Sequence, residues 1–290
     1  RPDPDSAAAV SLTCAARSII KGSLAVACLA GVGHAATLDV PTPYIPSTQQ
    51  NVDEMLRLAA VQPTDIVYDL GSGDGRVVIS AARDWGARGV GIEIDRQLVA
   101  ESNERARRER LAERVTFRAG DVFAANIGDA TVVTMYLLTS LVHRLQPKLL
   151  SELKPGTRIV AHDYGFAEWK PDRHVQVSKN FYLYIVPAQV AGNWRLNAVF
   201  PTITRDYDLD FEQRYQEIKG GARVAGGFLP AFEARLTGER IAFILLDDDT
   251  TYRYEGRVSG DMMEGTVRWG SGPQQKQSAW RATRRPSSGG

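Results

Sequence analysis

Three glycines and two carboxylates fall within seven positions, Asp69-Leu70-Gly71-Ser72-Gly73-Asp74-Gly75, between the apolar runs Val67-Tyr68 and Val77-Val78-Ile79. Glycine lacks a Cβ and reaches positive φ cheaply, so a glycine-rich turn between a strand and a helix marks a place where backbone approaches a small molecule closely. Two acidic side chains at that turn favour a ligand carrying positive charge and repel a pyrophosphate. Further along, Glu93 closes a second apolar run, Asp121 follows Phe117-Arg118-Ala119-Gly120, Tyr136 follows Val132-Val133-Thr134-Met135, and His162 leads Asp163 and Tyr164. A carboxylate such as Glu93 can accept from paired hydroxyls. An aromatic side chain such as Tyr136 can wall a site for a cation. His162 has the ordinary pKa range of a general base, and hydrogen-bonded scaffold is the competing role for it.

These residues need elements that bring them to one edge. Helical spacing begins near Val52, with Thr48 or Asn51 as its cap, after the proline-bearing arm Leu38 to Thr48. A strand at Ile66 to Leu70 and a helix at Arg76 to Trp85 follow. A strand at Gly89 to Ile94 and a helix at Arg96 to Arg110 come next, then strands at Val115 to Arg118 and Ala130 to Met135. A helix at Leu141 to Leu153, a strand at Thr157 to His162 and a last one at Phe181 to Val186 complete the series. Strands alternating with helices build parallel βαβ units with right-handed crossovers, hence an α/β, doubly wound, Rossmann-like sheet. All the candidate residues then lie at the carboxyl ends of strands, where such sheets bind ligands.

After Pro187 the texture becomes short alternating runs, Asn193 to Leu196, Asp208 to Tyr215, Phe232 to Leu236, Ile241 to Leu246 and Thr251 to Glu255. Gly220-Gly221, Thr237-Gly238, Asp247-Asp248-Asp249 and Ser259-Gly260-Asp261 read as their turns. The expected organisation is a lead-in and signal-peptide-like segment over 1–37, the ligand-binding α/β domain over 38–190, a small antiparallel all-β domain over 191–283 and a tail over 284–290.

With 43% hydrophobic and 24% charged residues and a formal net charge of +1, the chain has an ordinary globular composition and no field that argues for a nucleic-acid partner. The basic run Arg105 to Arg110 is interleaved with glutamates at helical spacing. Cys14 and Cys28 precede the folded segments, and no zinc-ligand spacing occurs, so no metal is expected. The apolar stretch Ser23 to Gly33, entered by Arg17 and Lys21 and ending in Gly33-His34-Ala35-Ala36, reads as an export signal or membrane anchor, too short for an ordinary membrane-spanning helix.

The turn departs from the dinucleotide fingerprint, because Arg76 stands where the third glycine is required. Gly-x-Gly-x-Gly after Asp-Leu instead resembles the turn of class I, seven-β-strand methyltransferases that use S-adenosylmethionine (SAM), whose amino group and sulfonium suit Asp69 and Asp74. The resemblance implies that Asp69, Gly71, Gly73, Asp74 and Gly75 hold the cofactor, that Glu93 takes its ribose and Asp121 its adenine amino group. It places the sixth and seventh strands near Phe181 to Val186 and Asn193 to Phe200. The stretches "PTPYIPST", "VYDLGSGDGRVVI", "GVGIEID", "ATVVTMYLLTSL" and "RLQPKLLSELKPGTRIVAHDYGF" together resemble the protein-lysine methyltransferases related to the mitochondrial enzyme that modifies the ATP synthase c-subunit. That likeness covers about residues 41 to 187 and implies a protein substrate with a target lysine. It makes Tyr136, with His162 and the arm residue Tyr44, the candidates for the acceptor pocket. A small-molecule methyltransferase, a SAM-fold envelope or binding protein without catalysis, and a nucleotide-dependent oxidoreductase are the competing readings. The leader points to export or anchoring, whereas SAM is a cytoplasmic metabolite, so localisation stays open.

Overall fold

The computed structural model describes residues 45–200, 204–247 and 249–286. The leader, both cysteines, Tyr44 and the last four residues lie outside them. Among the described residues no helix is long and apolar enough to cross a membrane.

The helix α1 (Gln49–Leu58) starts where Thr48 accepts from the Asn51 N–H. Then come β1 (Ile66–Leu70), α2 (Arg76–Trp85), β2 (Arg88–Glu93), α3 (Arg96–Arg108), β3 (Val115–Ala119), β4 (Val132–Met135), α4 (Thr139–Glu152), β5 (Arg158–His162), β6 (Arg173–Gln176) and β7 (Asn180–Ile185). They form a mixed seven-stranded sheet in the order β3-β2-β1-β4-β5-β7-β6, with β7 antiparallel to both neighbours. Alternation along the strands sends Val67, Val132 and Val160 to the face covered by α1 and α2. Tyr68, Val133 and Ile159 go to the opposite face, where Val142, Leu145 and Leu149 of α4 pack. The order reverses between β1 and β4, which puts a crevice at the carboxyl ends of those two strands.

The expected positions of the last two strands of this sheet need correction. Arg173–Gln176 is the sixth strand and Asn180–Ile185 the seventh, while Gly192–Val199 belongs to the second sheet. The sixth strand is short and exposed at the sheet edge, so it lacks the apolar run by which a buried strand is recognised.

The second sheet is antiparallel and has nine strands: β8 (Gly192–Val199), β9 (Thr204–Arg214), β10 (Glu217–Val224), β11 (Gly227–Pro230), β12 (Phe232–Thr237), β13 (Arg240–Asp247), β14 (Thr250–Ser259), β15 (Met262–Trp269) and β16 (Lys276–Arg284). Its edge strands β11 and β12 are consecutive in the chain and meet around Ala231, whose N–H donates to the Gly220 carbonyl at 2.8 Å. The enclosed core is aromatic, with Trp194, Phe211, Phe243, Tyr254 and Trp280 buried together. Gly220-Gly221 is not the turn its composition suggests. Both glycines lie inside β10, paired with Phe211 and Asp210, because a Cβ on them would come within 1.9 Å of the Asp210 carbonyl oxygen and 2.1 Å of the Leu229 one. The turn itself is Tyr215-Gln216.

Candidate active site

At the end of β1 the backbone takes positive φ at Gly71 (80°), Gly73 (52°) and Gly75 (75°). The three glycines serve different needs. A Cβ on Gly75 would stand 2.5 Å from the Phe117 ring, so that glycine lets α2 pack against β3. A Cβ on Gly71 would stand 2.8 Å from Leu137, which places the segment after β4 directly against the turn. Gly73 is gripped on both sides of its peptide: its N–H donates to Glu93 Oε2 at 2.8 Å and its carbonyl accepts from Ser102 Oγ at 3.2 Å.

Glu93 ends β2 as the sequence implies, and its carboxylate is engaged by the surrounding backbone. Its Oε1 also accepts from the Ile94 and Asp95 N–H groups, at 2.8 and 3.0 Å, so one buried carboxylate clamps the glycine turn to the start of α3. Asp69 sits next to it, buried to 6% exposure, with Thr134 Oγ1 donating at 2.7 Å. Burial pushes its carboxyl up to about 7, with the neighbouring Glu93 and Asp74 charges adding to the effect. Asp74 is turned to other partners. Its carboxylate receives the Arg76 guanidinium at 2.6 Å and lies 3.9 Å from Arg105, so its charge is already balanced by the protein. Asp121 is exposed beyond β3 and accepts from the Phe123 N–H at 2.9 Å, closing the turn it begins.

The second half of the site is an aromatic stack. The Tyr136 ring lies 4.0 Å from the His162 ring, which is itself stacked at 4.9 Å on Phe181. His162 is 1% exposed, and burial lowers its imidazolium to about 4, so the ring is neutral at pH 7. Ser47 Oγ lies 3.2 Å from Nδ1, and Asn51 Nδ2 lies 3.5 Å from Nε2. An amide nitrogen can only donate, so Nε2 accepts and Nδ1 carries the proton toward Ser47. Ser47 is held in turn by Arg76, which donates to its carbonyl. Ser47 is therefore tied to the residue that opens α2 and to the end of β5 at once. Tyr136 presents its hydroxyl to Asp163 Oδ2 at 3.4 Å, and Lys179 from the β6–β7 turn reaches the same oxygen at 2.8 Å.

Gly73 is thus bonded to Glu93, Asp69 lies beside Glu93, and Leu137, the residue after Tyr136, approaches Gly71. Ser47, Thr134 and Lys179 carry no signal in the sequence, and Asn51 reads there only as a possible helix cap. Ordinary polar residues far apart in the chain carry no local signal, and only the strand order brings them together. The donor set suits SAM: glycines leave the turn without side chains, and the nearest charges are two carboxylates, fit for an amino group, a sulfonium and ribose hydroxyls. Arg76, the closest cation to the turn, is directed to Asp74 and Ser47.

Known proteins resemble about half of this chain. The ANTKMT methyltransferase domain family matches residues 69–173. A protein-lysine N-methyltransferase of Saccharolobus islandicus (strain REY15A) is 40% identical over 150 residues, which are 50% of this chain and 93% of that protein. The ATP synthase c-subunit lysine N-methyltransferase of Xenopus laevis is 35% identical over 130 residues, 45% of this chain and 57% of the relative, so the chain spans little more than half of that relative's length. Among solved structures, an RNA methyltransferase from Salinibacter ruber in complex with S-adenosyl-L-homocysteine is 49% identical with a TM-score of 0.50, covering 50% of this chain and 96% of that one.

Proposed function

The chain belongs to the protein-lysine N-methyltransferase family of SAM-dependent enzymes, and on that premise we propose that it transfers a methyl group from SAM to the side-chain nitrogen of a lysine in a protein substrate. The observation that supports this reading best is the approach of Leu137 to Gly71, which brings the chain next to Tyr136 against the glycine turn proposed to hold the cofactor. An RNA acceptor, as named for the Salinibacter ruber structure, is the second reading. A formal net charge of +1 gives little of the phosphate attraction on which RNA binding rests.

When bound, SAM supplies a methyl carbon made electrophilic by the sulfonium. The protein's task is to align the acceptor nitrogen with it and exclude water. In the proposed roles Asp69 faces the cationic end of the cofactor, Glu93 takes the ribose while holding the turn, and Asp121 stands at the adenine edge. Gly71, Gly73 and Gly75 give the turn its shape, and Asp74 acts indirectly, by fixing Arg76 and through it the arm. Tyr136 walls the acceptor channel, and neutral His162 supports its ring. An imidazole whose conjugate acid has a pKa of about 4 is too weak a base for a lysine ammonium, so the acceptor proton leaves to water. Residues 38–190 and 191–283 are read as two domains because the second sheet encloses its own aromatic core; between the sheets Gln146 donates to Tyr215, Lys170 pairs with Glu217, and Trp169 stacks on Tyr215.

Two expected results follow from these roles. Tyr136→Ala lowers turnover at least about tenfold, roughly 1.4 kcal/mol on the barrier, while titration calorimetry finds SAM affinity little changed. A parallel loss of cofactor affinity would move Tyr136 out of the acceptor wall. The second concerns pH. Because the free Asp69 carboxyl titrates near 7 and its ionised form attracts the cationic cofactor, SAM affinity rises as pH increases through about 7 and then levels. Below that it falls by up to about tenfold per pH unit, with proton release on binding. Calorimetry at several pH values, in buffers of different ionisation enthalpy, reads both quantities. A flat profile from pH 5 to 8 would contradict the role of Asp69.

A further inference from the structure

Asp163 is the first residue beyond β5, and it adopts φ 62°, a left-handed conformation that a non-glycine residue holds only where its surroundings impose it. The surroundings here are specific. Its N–H donates to the Asn180 carbonyl at 2.7 Å, and its Oδ1 accepts from the Asn180 N–H at 3.3 Å, which fixes the carboxylate at the side of the Tyr136 ring. Oδ2 then faces outward and meets two groups, the Tyr136 hydroxyl at 3.4 Å and the Lys179 ammonium at 2.8 Å. Burial alone would raise the Asp163 carboxyl, but the Lys179 and Asn180 hydrogen bonds outweigh it and hold the group below its ordinary value.

The two partners of this ion pair differ sharply in exposure. The Asp163 side chain is 12% exposed and Lys179 is 47% exposed, so a surface lysine reaches down along its own aliphatic stem to a nearly buried carboxylate next to the Tyr136 ring. The fold does not need the pair, since the Asn180 peptide already holds both ends of Asp163. A pair with one half-exposed lysine is screened by water, contributes little stability and is easily exchanged for another cation.

Building on the lysine reading above, we propose that Asp163 receives the ammonium of the incoming substrate lysine and that Lys179 occupies its place in the substrate-free enzyme. Asp163 is then a residue of substrate capture. It holds the arriving cation beside Tyr136, and the proton is lost to water before methyl transfer, so its influence falls on KM more than on kcat. Lys179 competes intramolecularly for the same oxygen and is kept protonated by it. Its exchange for a substrate lysine replaces one ion pair with another, which keeps the carboxylate from being left unpaired in either state.

The test is steady-state transfer of tritium from labelled SAM to graded concentrations of a protein extract from cells lacking the enzyme, with methyl-lysine counted after acid hydrolysis. Asp163→Asn, whose side chain tolerates positive φ and keeps an oxygen for the Asn180 N–H, raises the apparent KM about tenfold. Lys179→Met, an exposed and nearly isosteric change, lowers it about threefold or more. The double variant resembles Asp163→Asn alone, and SAM affinity is the same in all four proteins. If the pair only braced the β6–β7 turn, both single variants would shift KM in the same direction and lower the melting temperature. That result, or a KM unchanged by Lys179→Met, overturns the proposal while methyl-lysine formation by the unaltered enzyme leaves the lysine reading standing. Label found in RNA or small molecules and absent from lysine overturns both.

Discussion

Gly73→Val abolishes SAM binding, by at least about a hundredfold in affinity, while leaving the far-ultraviolet circular dichroism of the chain unchanged. The reason lies in the backbone. Gly73 has φ 52°, and a β-branched residue in that region is a strained outlier costing about 1–2 kcal/mol before any contact is considered. The turn cannot relax to relieve the strain, because the Gly73 N–H is held by Glu93 and its carbonyl by Ser102. Relaxation would break one of these bonds and move the backbone that the cofactor must approach. Gly73→Ala provides the graded control, with a smaller loss, since alanine has the strain without the branching. Near-normal affinity in the valine variant would make the turn a folding device only. Gly75 is the instructive contrast, because a side chain there meets Phe117 and is expected to cost stability of the domain first.

Glu93→Ala has the second largest effect, a loss of about 2–4 kcal/mol in SAM affinity, or roughly 30-fold to 1000-fold, accompanied by a lower melting temperature. Removing the carboxylate deletes the proposed ribose acceptor and also leaves the N–H groups of Gly73, Ile94 and Asp95 without their partner. The Gly73 donor is buried, and leaving it unmade costs about 1–3 kcal/mol, so part of the loss is the turn losing its shape. Glu93→Gln keeps one oxygen in place and falls between the two. Calorimetric affinity of Glu93→Ala within about threefold of the unaltered protein would show that neither the ribose nor the turn depends on this residue.

The glycine turn, the strand ends and the residues at them were legible because their signal is local. A strand that stops at Leu70 and a helix that starts at Arg76 leave the intervening glycines only one place in the fold, and Glu93, Tyr136 and His162 occupy the same edge by the same logic. What was not legible depends on contacts across the chain. Arg173–Gln176 is too short and exposed to be read as a strand, and Gly220-Gly221 has the composition of a turn although crowding by β9 and β11 is what requires it. Asp74 reads as a cofactor carboxylate from its place in the turn, and its ion pair with Arg76, two residues on, is set by the folded turn. The neutral state of His162 depends on its burial between Tyr136 and Phe181, with Ser47 and Asn51 on its nitrogens, and nothing in "AHDYG" announces that.

The nitrogen of a protein lysine is the proposed methyl acceptor, and the acceptor atom itself can be identified. The purified chain is incubated with methyl-tritiated SAM and the proteome of cells lacking the enzyme, and the labelled residue is located by mass spectrometry of the labelled protein. The expected result is label on the side-chain nitrogen of lysine, abolished by Gly73→Val and reduced by Tyr136→Ala. Label confined to RNA, to a carboxylate or to small molecules, with the same dependence on Gly73, would contradict it.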